Sequence, residues 1–485
     1  MPISRAPRIT LRGFAAAAID RLTASFRGTS MSADGDIIAS LPTLRNRSRQ
    51  LCMDVDFARR YISLVQQNVA GPHGVQIQAR LVNDRFEPDP ADSAALERAW
   101  RDWGHVAEVG GKLTWPEVQR LVVGTVARDG ECLVRMYPGF GGNKYRFGIQ
   151  VLEADYLDEN LNRDLSDGGR ITAGIEKDGF DRVQAYYLAT RTTPNANGDL
   201  YQFGSRSYLR VPAEEIVHLF KTDRPQQTRG VTWLVTAIRR LNMLSALEEA
   251  ALVNQRIAAS KMGFFTSPAG DEFTGSDTEG DNDGSAIIED VEPGTFTQLP
   301  AGMDFRDFDP TAPDIFPDFQ AGLLRGAASG LGIGYSTLSM DNTSASYSSL
   351  RHEALSEQDT WRTVQRWFVD QFIWPVYTAW LNSAVMTEAL PMPPRKIAKA
   401  LDRRRVFWQP RGWAWVDPSK EAKANAEAVS LGTASRREIA AAQGKDLEEV
   451  LDQLAEESRM AEARGILIDP QAGRVAEQEQ LGPKE

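Results

Sequence analysis

The sequence predicts an α+β fold, with a mixed helix-and-strand first part and a largely helical second part. Three observations predict it. Short apolar runs bounded by turn residues crowd between residues 130 and 220, which is how strands read. A stretch without Gly or Pro then runs from Thr232 to Met262. Beyond residue 314, apolar residues recur at helical spacing and several segments open with capping residues. The length of 485 residues corresponds to about three domains.

Taken in order, residues 1–29 hold Arg5, Arg8, Arg12, Arg21 and Arg27 against the single acid Asp20. The apolar run Phe14 to Ile19 is short for a secretory signal, so this segment reads as a flexible basic arm. Residues 45–72 read as one helix, because Leu51, Val55, Ala58, Ile62 and Val65 share a stripe and Gly71-Pro72 ends it. Val75, Ile77, Ala79 and Leu81 alternate as a strand. A helix over 91–103 follows, then one from Trp115, opened by Thr114 with Pro116 in its first turn. Cys132 to Met136, Phe147 to Leu152, Ile171 to Glu176 and Val183 to Ala189 read as strands, with Asp178-Gly179 as a hairpin turn. The first 220 residues therefore read as one α+β domain.

The stretch Thr232 to Met262 predicts a helix about 46 Å long. Its second half carries Ala246, Ala250, Ala251, Ala258 and Ala259, small side chains that let a neighbouring helix approach. Within 264–312, acids crowd a Gly/Ser/Thr loop, and short strands are expected at Ala286 to Ile288 and Thr295 to Leu299. A second helix spans about Asp314 to Ser329 and stops at Gly330, Gly332 and Gly334. Residues 335–347 form a polar loop almost without charge. Val364, Phe368, Phe372 and Val376 then mark an aromatic helix that Pro375 should kink. Asp417-Pro418, Ser435-x-x-Glu438 and Asp446-x-x-Glu449 open three C-terminal helices, closed by Gly432, Gly444 and Gly465. Residues 466–485 read as a flexible tail.

Composition narrows the function. The net charge is −11, and an acidic chain is a poor general DNA binder because tight binding neutralises phosphates. Cys52 and Cys132 cannot build a disulfide framework or a Cys-rich zinc site. No apolar run approaches the ~20 residues that span a bilayer, so no membrane role is expected.

Chemistry-bearing motifs are mostly missing. Gly111-Lys112 and Gly444-Lys445 lack the Ser/Thr and spacing of a phosphate-binding loop. Gly330-x-Gly332-x-Gly334 ends a helix where a dinucleotide motif would open one. None of His73, His105, His218 and His352 is paired at helical spacing, and no Gly-x-Ser-x-Gly elbow marks a nucleophile. Glu279-x-Asp281-x-Asp283-Gly284 approaches a calcium loop, but Glu stands first, Asp stands twelfth and Val291-Glu-Pro-Gly breaks the following helix. No enzyme activity, cofactor or metal is expected.

Several segments resemble the lambda-like portal proteins of tailed bacteriophages. They are Asp129-Gly-Glu-Cys-Leu-Val-Arg135, Gln150-Val-Leu-Glu-Ala-Asp155 and Gly174 to Gly179 leading to Ala185-Tyr186-Tyr187. Val211 to His218 with Arg224-Pro225, Gln227 and Arg229-Gly-Val231, and Tyr335 through Asp341 to Ser349 and Arg351, are the most specific. The resemblance runs from about Arg45 to Arg459 and is weakest at the ends and in the acidic loop 271–284.

The resemblance implies a portal fold assembled as a ring, usually of twelve subunits, at one capsid vertex of the virion. It implies a wing at 30–230, a long wing and stem helix at 231–263 and a clip at 264–312. A second stem helix at 313–334, a tunnel loop at 335–347, a wing helix and return at 348–416 and a crown at 417–465 complete it. Double-stranded DNA would pass the channel weakly and without sequence preference. Asn342, Thr343, Ser344 and Tyr347 of the loop and Arg256, Lys261 and Arg325 of the stem are the channel candidates. Ala250 and Ala251 are the candidate subunit contacts. The implied partners are the terminase large subunit, the major capsid protein, and scaffolding and head-completion proteins, with assembly in the host cytoplasm. Another capsid-vertex or connector protein is the alternative, and a DNA-processing enzyme a more remote one.

Overall fold

A computed structural model describes residues 31–166, 168–190, 207–259, 263–266, 304–307, 316–343, 345–413 and 418–464. The first three helices are α1 (Ala33–Ile38), α2 (Leu41–Asp54) and α3 (Asp56–Val69). The expected single helix over 45–72 is thus two. Val55 adopts an extended backbone, closing α2 through its N–H on Leu51 and opening α3. A β-branched residue accepts that conformation readily. The break still leaves Leu51, Val55, Ala58 and Val65 buried.

Strand β1 (Gln76–Ala79), α4 (Pro90–Gly104) and α5 (Trp115–Asp129) follow as expected. Thr114 and Glu117 form a reciprocal capping box at the start of α5, satisfying backbone donors that the first turn leaves free. Strands β2 (Glu131–Pro138) and β3 (Phe147–Leu152) begin a sheet that β9 (Ile216–Phe220) completes in the order β3-β2-β9. A second, antiparallel sheet runs β4 (Arg163–Asp164), β5 (Arg170–Thr172), β6 (Ile175–Lys177), β7 (Val183–Ala189), β8 (Tyr208–Pro212). The strand expected over Ile171 to Glu176 is really a hairpin. Ala173 and Gly174 both have positive φ, 48° and 82°, which is the two-residue turn that matches sheet twist. The Asp178-Gly179 turn is present, with Asp178 Oδ1 accepting from the N–H of Phe180 and Arg182.

The second half starts with α6 (Ile238–Ala259). It begins later than the sequence suggests, because 233–237 form tight turns. Trp233 N–H and the Thr232 hydroxyl both donate to the Ala127 carbonyl, which ties this segment to the end of α5. Strands β10 (Gly263–Thr266) and β11 (Asp304–Asp307) pair antiparallel. The strands expected at Ala286 to Ile288 and Thr295 to Leu299, and the acidic loop, lie outside the described residues.

Helix α7 (Phe316–Leu331) is followed by α8 (Tyr335–Ser339), then α9 (Tyr347–Phe368) and α10 (Trp374–Met386). Residues 335–347 are therefore only partly loop: five are helical and Tyr347 opens α9. A π-helical turn at Val369–Ile373 joins α9 to α10. Pro375, without an N–H, sits just after it and accounts for the irregularity. Helix α11 (Pro394–Ala400) leads to β12 (Val406–Gln409), which pairs with β1. The chain thus returns 333 residues later, Gln409 facing Gln76. The C-terminal helices are α12 (Pro418–Ser430), α13 (Arg436–Ala442) and α14 (Leu447–Ala463). Ser435 and Glu438 form the expected capping box, and Asp446 caps α14. Gly432 and Gly444 carry positive φ.

The main core is aromatic. Trp100, Trp103, Trp115, Tyr377 and Trp380 interlock, with Trp100 centroids 4.7 Å from Trp103 and 5.0 Å from Trp380. The buried Trp103 Nε1–H donates to the Phe147 carbonyl at 2.9 Å, as a buried indole requires. A second core, with Leu133, Leu157, Ile175, Tyr186, Leu188 and Ile216, lies between the two sheets.

Candidate functional site

Three structural features carry the functional reading. The first is a buried ionic cluster that locks the α+β body together. Glu131 at the start of β2 and Arg229 before α6 are both fully buried. Arg229 Nε donates to both Glu131 oxygens at 2.9 Å, and its terminal nitrogens reach Glu131 and the Ala173 carbonyl. Arg45 of α2 joins Glu131 at 2.9 Å, Asp155 at 3.3 Å and Glu159 at 3.0 Å. Arg49 bridges Asp129 and Asp155 at 2.8 and 2.6 Å. His218 of β9 shares a 3.0 Å hydrogen bond with Glu131.

Burial pushes the Glu131 carboxyl up, but Arg229 and His218 outweigh it and hold the group below the usual carboxylate range. Burial holds the His218 imidazole below its ordinary value, against the pull of Glu131. His218 is thus neutral at pH 7 and donates to the carboxylate. The adjoining backbones touch. Gly130 has φ 95°, and a Cβ there would lie 2.5 Å from the Val231 carbonyl carbon. A Cβ at Gly230 would run into the Gly130 carbonyl oxygen. Sequence reasoning did not single out this cluster as a site. Its signal was present, because Asp129, Glu131, Asp155, His218 and Arg229 all fall in the quoted motif segments.

The second feature is a helical hairpin. Thr236 Oγ1 donates to the Gly330 carbonyl at 2.9 Å, Arg240 to the Gly326 carbonyl at 2.7 Å, and Gln320 to Glu248 at 2.6 Å. Rising numbers on α6 meet falling numbers on α7, so the two helices run antiparallel. Glycine lets the helices approach here: a Cβ at Gly330 would press on the Thr236 side chain at 2.7 Å, and one at Gly326 would displace the Arg240 guanidinium at 2.9 Å. Leu241 and Leu244 are buried, whereas Met243, Leu252, Val253 and Phe319 are exposed. The far end of the hairpin therefore leaves its apolar side chains uncovered. Ala250 is exposed and Ala251 half-buried on this same end. Arg256 lies on α6 near its described end, and Lys261 lies outside the described residues.

The third feature is the segment between α7 and α9. Arg325 is exposed and its guanidinium stacks 5.0 Å from the Tyr335 ring centroid. The Tyr335 hydroxyl donates to Asp341 at 2.9 Å. Asp341 Oδ1 accepts from the Thr343 N–H and hydroxyl at 3.0 and 2.6 Å. The Thr343 bonds, then Tyr335, hold the Asp341 carboxyl below its ordinary value. Glu357 and Glu353 of α9 accept from the Gly334 and Ser336 N–H groups, capping α8. Asn342, Thr343 and Tyr347 are exposed, and Ser344 lies outside the described residues. Thus Arg325 reaches this segment through Tyr335, whose partner Asp341 orders Thr343, while Arg256 sits toward the other end of the hairpin.

Among the described residues no group of three or more His, Cys, Asp or Glu side chains is placed to hold a metal ion, and no helix is long and apolar enough to cross a membrane. The profile described as "Phage portal protein, lambda family" matches residues 20–365. The chain belongs to that family, which is structural in character. It is similar to the probable portal protein of Halomonas phage phiHAP-1, 31% identical over 477 residues, covering 96% of this chain and 89% of that one. Portal protein B of Escherichia phage lambda is 20% identical over 479 residues, covering 91% and 88%. Among solved structures, the virion of a native gene transfer agent particle is similar at TM-score 0.43 and 14% identity, covering 88% of this chain and 98% of that chain. The neck of an empty gene transfer agent particle is similar at TM-score 0.42 and 14% identity, covering 83% and 94%.

Proposed function

We propose that the chain forms a ring, of twelve copies, at the portal vertex of the capsid, and that DNA is packaged and ejected through its centre. The ring is assembled in the host cytoplasm, docks the terminase large subunit, and later holds head-completion and tail proteins. Family membership supports the portal role, and one structural observation supports the ring. The outer part of the α6–α7 hairpin exposes Leu252, Val253 and Phe319, and a second copy set beside it covers them. In this reading Ala250 and Ala251 sit at the subunit contact. The body formed by 30–230 and 348–416 is the wing, β10 and β11 begin the clip, and α12–α14 form the crown. The segment Asp341 to Thr343 is the tunnel loop, with Asn342, Thr343 and Tyr347 facing DNA and Arg256 and Arg325 further along the stem. Negative-stain images of the purified protein test this. Rings with a central hole are expected; a chain that remains monomeric at micromolar concentration overturns the reading.

A further inference from the structure

Each helix of the α6–α7 hairpin carries a second face that its own partner helix does not use. Within the chain, Thr236, Arg240 and Glu248 of α6 meet Gly330, Gly326 and Gln320 of α7. With about 3.6 residues per turn, Ala246, Glu249, Val253 and Arg256 fall on the other side of α6, and all four are exposed. Asp318, Gly322, Arg325 and Ser329 likewise share one side of α7, and all four are exposed.

Gly322 sets the α7 face apart. A glycine inside a helix costs stability relative to alanine. Gly326 and Gly330 have a reason within the chain, since a Cβ at either would crowd Arg240 or Thr236. A Cβ at Gly322 would meet nothing within 4 Å. The chain's own packing therefore does not call for glycine there, and the residue leaves an open notch on an exposed face. The charges beside it also lack partners: Glu249 and Asp318 form no ion pair among the described residues. Arg325 lies against the Tyr335 ring and acts on Asp341 through space, without an ion pair among the described residues. Stacking engages the face of a guanidinium and leaves its N–H edge for a carboxylate.

The two faces complement each other. Laid antiparallel, they match rung by rung: Ala246 on Ser329, Glu249 on Arg325, Val253 on Gly322 and Arg256 on Asp318. Both sets step by three or four residues, the repeat of one helix face. Small meets small, each acid meets a guanidinium, and the exposed Val253 fills the notch. One chain cannot make this match with itself. The contact of Arg240 with Gly326 puts Glu249 level with Pro317 of its own α7, whereas the match puts it at Arg325, about eight residues or 12 Å along the helix. A second copy displaced along the helix axis supplies it, as neighbours do in a ring whose helices lean from the ring axis. Without the displacement, Glu249 would lie beside Asp318 of the next copy, acid against acid. Glu249 and Asp318 would also repel a phosphate backbone, and a foreign protein would have to reproduce a spacing that this chain already carries.

We propose that the outer face of α6 in one copy docks on the outer face of α7 in the next, with Glu249 paired to Arg325 and Val253 seated at Gly322. This rests on the ring reading and specifies its contact: Arg325 and Arg256 then serve the joint between copies and not the channel wall. The test is a charge exchange in the full chain, with ring yield read by sizing chromatography and mass photometry. Glu249→Arg alone and Arg325→Glu alone should each lower ring yield at least tenfold, and the two together should restore it to within twofold of the parent. Gly322→Leu should lower ring yield as much while leaving the unfolding midpoint of the free subunit unchanged; if that variant does not fold, the exchange decides. Oxidation of rings carrying both Val253→Cys and Gly322→Cys should link neighbouring copies, and neither single variant should link. Normal yield in both single reversals, or no recovery in the exchange, overturns the proposal. Gly322→Leu rings that form normally but no longer package DNA, or no longer enter capsids, give the notch to nucleic acid or to another protein and overturn it too. A wild-type chain that stays monomeric sinks the ring reading itself, whereas wild-type rings indifferent to the exchange sink this contact alone.

Discussion

Glu131 is the residue on which the most contacts converge. It satisfies Arg45, Arg229, His218 and the Gly230 N–H at once. Removing its charge leaves the buried Arg229 guanidinium without its carboxylate partner, while Arg45 keeps Asp155 and Glu159, so Glu131→Gln should destabilise the body by about 3–5 kcal/mol, read by chemical unfolding. The cluster also sets a pH dependence. The folded Glu131 and Asp129 carboxyls lie below their ordinary values, so their stabilisation is present above the unfolded carboxylate pKa and fades as pH falls below it. His218 is likewise held low, so the unfolded chain binds its proton first. Stability should begin to drop as pH falls through about 6.5 and drop more steeply below about 4. A His218→Gln variant should lose the upper step and keep the lower one; unfolding midpoints measured from pH 8 to pH 3 check this.

Helices α6 and α7 show how one element can serve two environments. Near the body, Leu241 and Leu244 are buried; further out, Leu252 and Val253 are exposed. Ala251→Leu should leave the single chain folded but overpack the contact between copies by roughly 1–3 kcal/mol per copy. Sizing chromatography should show fewer rings and more free subunits; normal ring yield would remove Ala251 from the interface. The hydroxyls of Tyr335, Ser339 and Thr343 all hold the segment after α8. Tyr335 links α8 to Asp341, which in turn orders Thr343. Tyr335→Phe should free the segment and speed amide hydrogen exchange at residues 341–345 several-fold, with α7 and α9 unchanged. Exchange as slow as in the parent would show that Asp341 and Thr343 suffice. Replacing 341–345 by Gly/Ser should keep rings but impair DNA packaging or retention, leaving the Ser346 cap of α9 in place.

For the whole molecule, charge decides how DNA is handled. Each chain carries −11, so a twelve-copy ring would carry about −132 and repel a polyanion at long range. A conduit must let DNA slide, and hydroxyl or amide contacts release few counterions. Purified rings should therefore form no stable complex with linear duplex in 150 mM salt. Nanomolar retention in a filter-binding assay would overturn the conduit argument.

Much of this protein is local and therefore legible in its sequence. The capping box at Thr114, the Ser435 box, the Asp178 turn and the alternation of β7 depend on residues within a few positions of one another. The motif order that marks the family is legible for the same reason. Tertiary contacts decided the rest. Val55 splits a continuous apolar stripe because α2 and α3 pack separately against α5, a choice that helical periodicity cannot register. The Ala173-Gly174 turn interrupts what reads as one strand because two β-strands pair across it. The turn that precedes α6 is held by the Ala127 carbonyl, 105 residues from Thr232. Five of the thirteen residues read as loop form α8, capped by Glu353 and Glu357 of α9. The ionic cluster draws Arg45, Glu131, Asp155, His218 and Arg229 from across the first 230 residues. Spacing along a chain carries no record of such meetings; burial of charge, which demands a partner wherever one can be reached, brings them about.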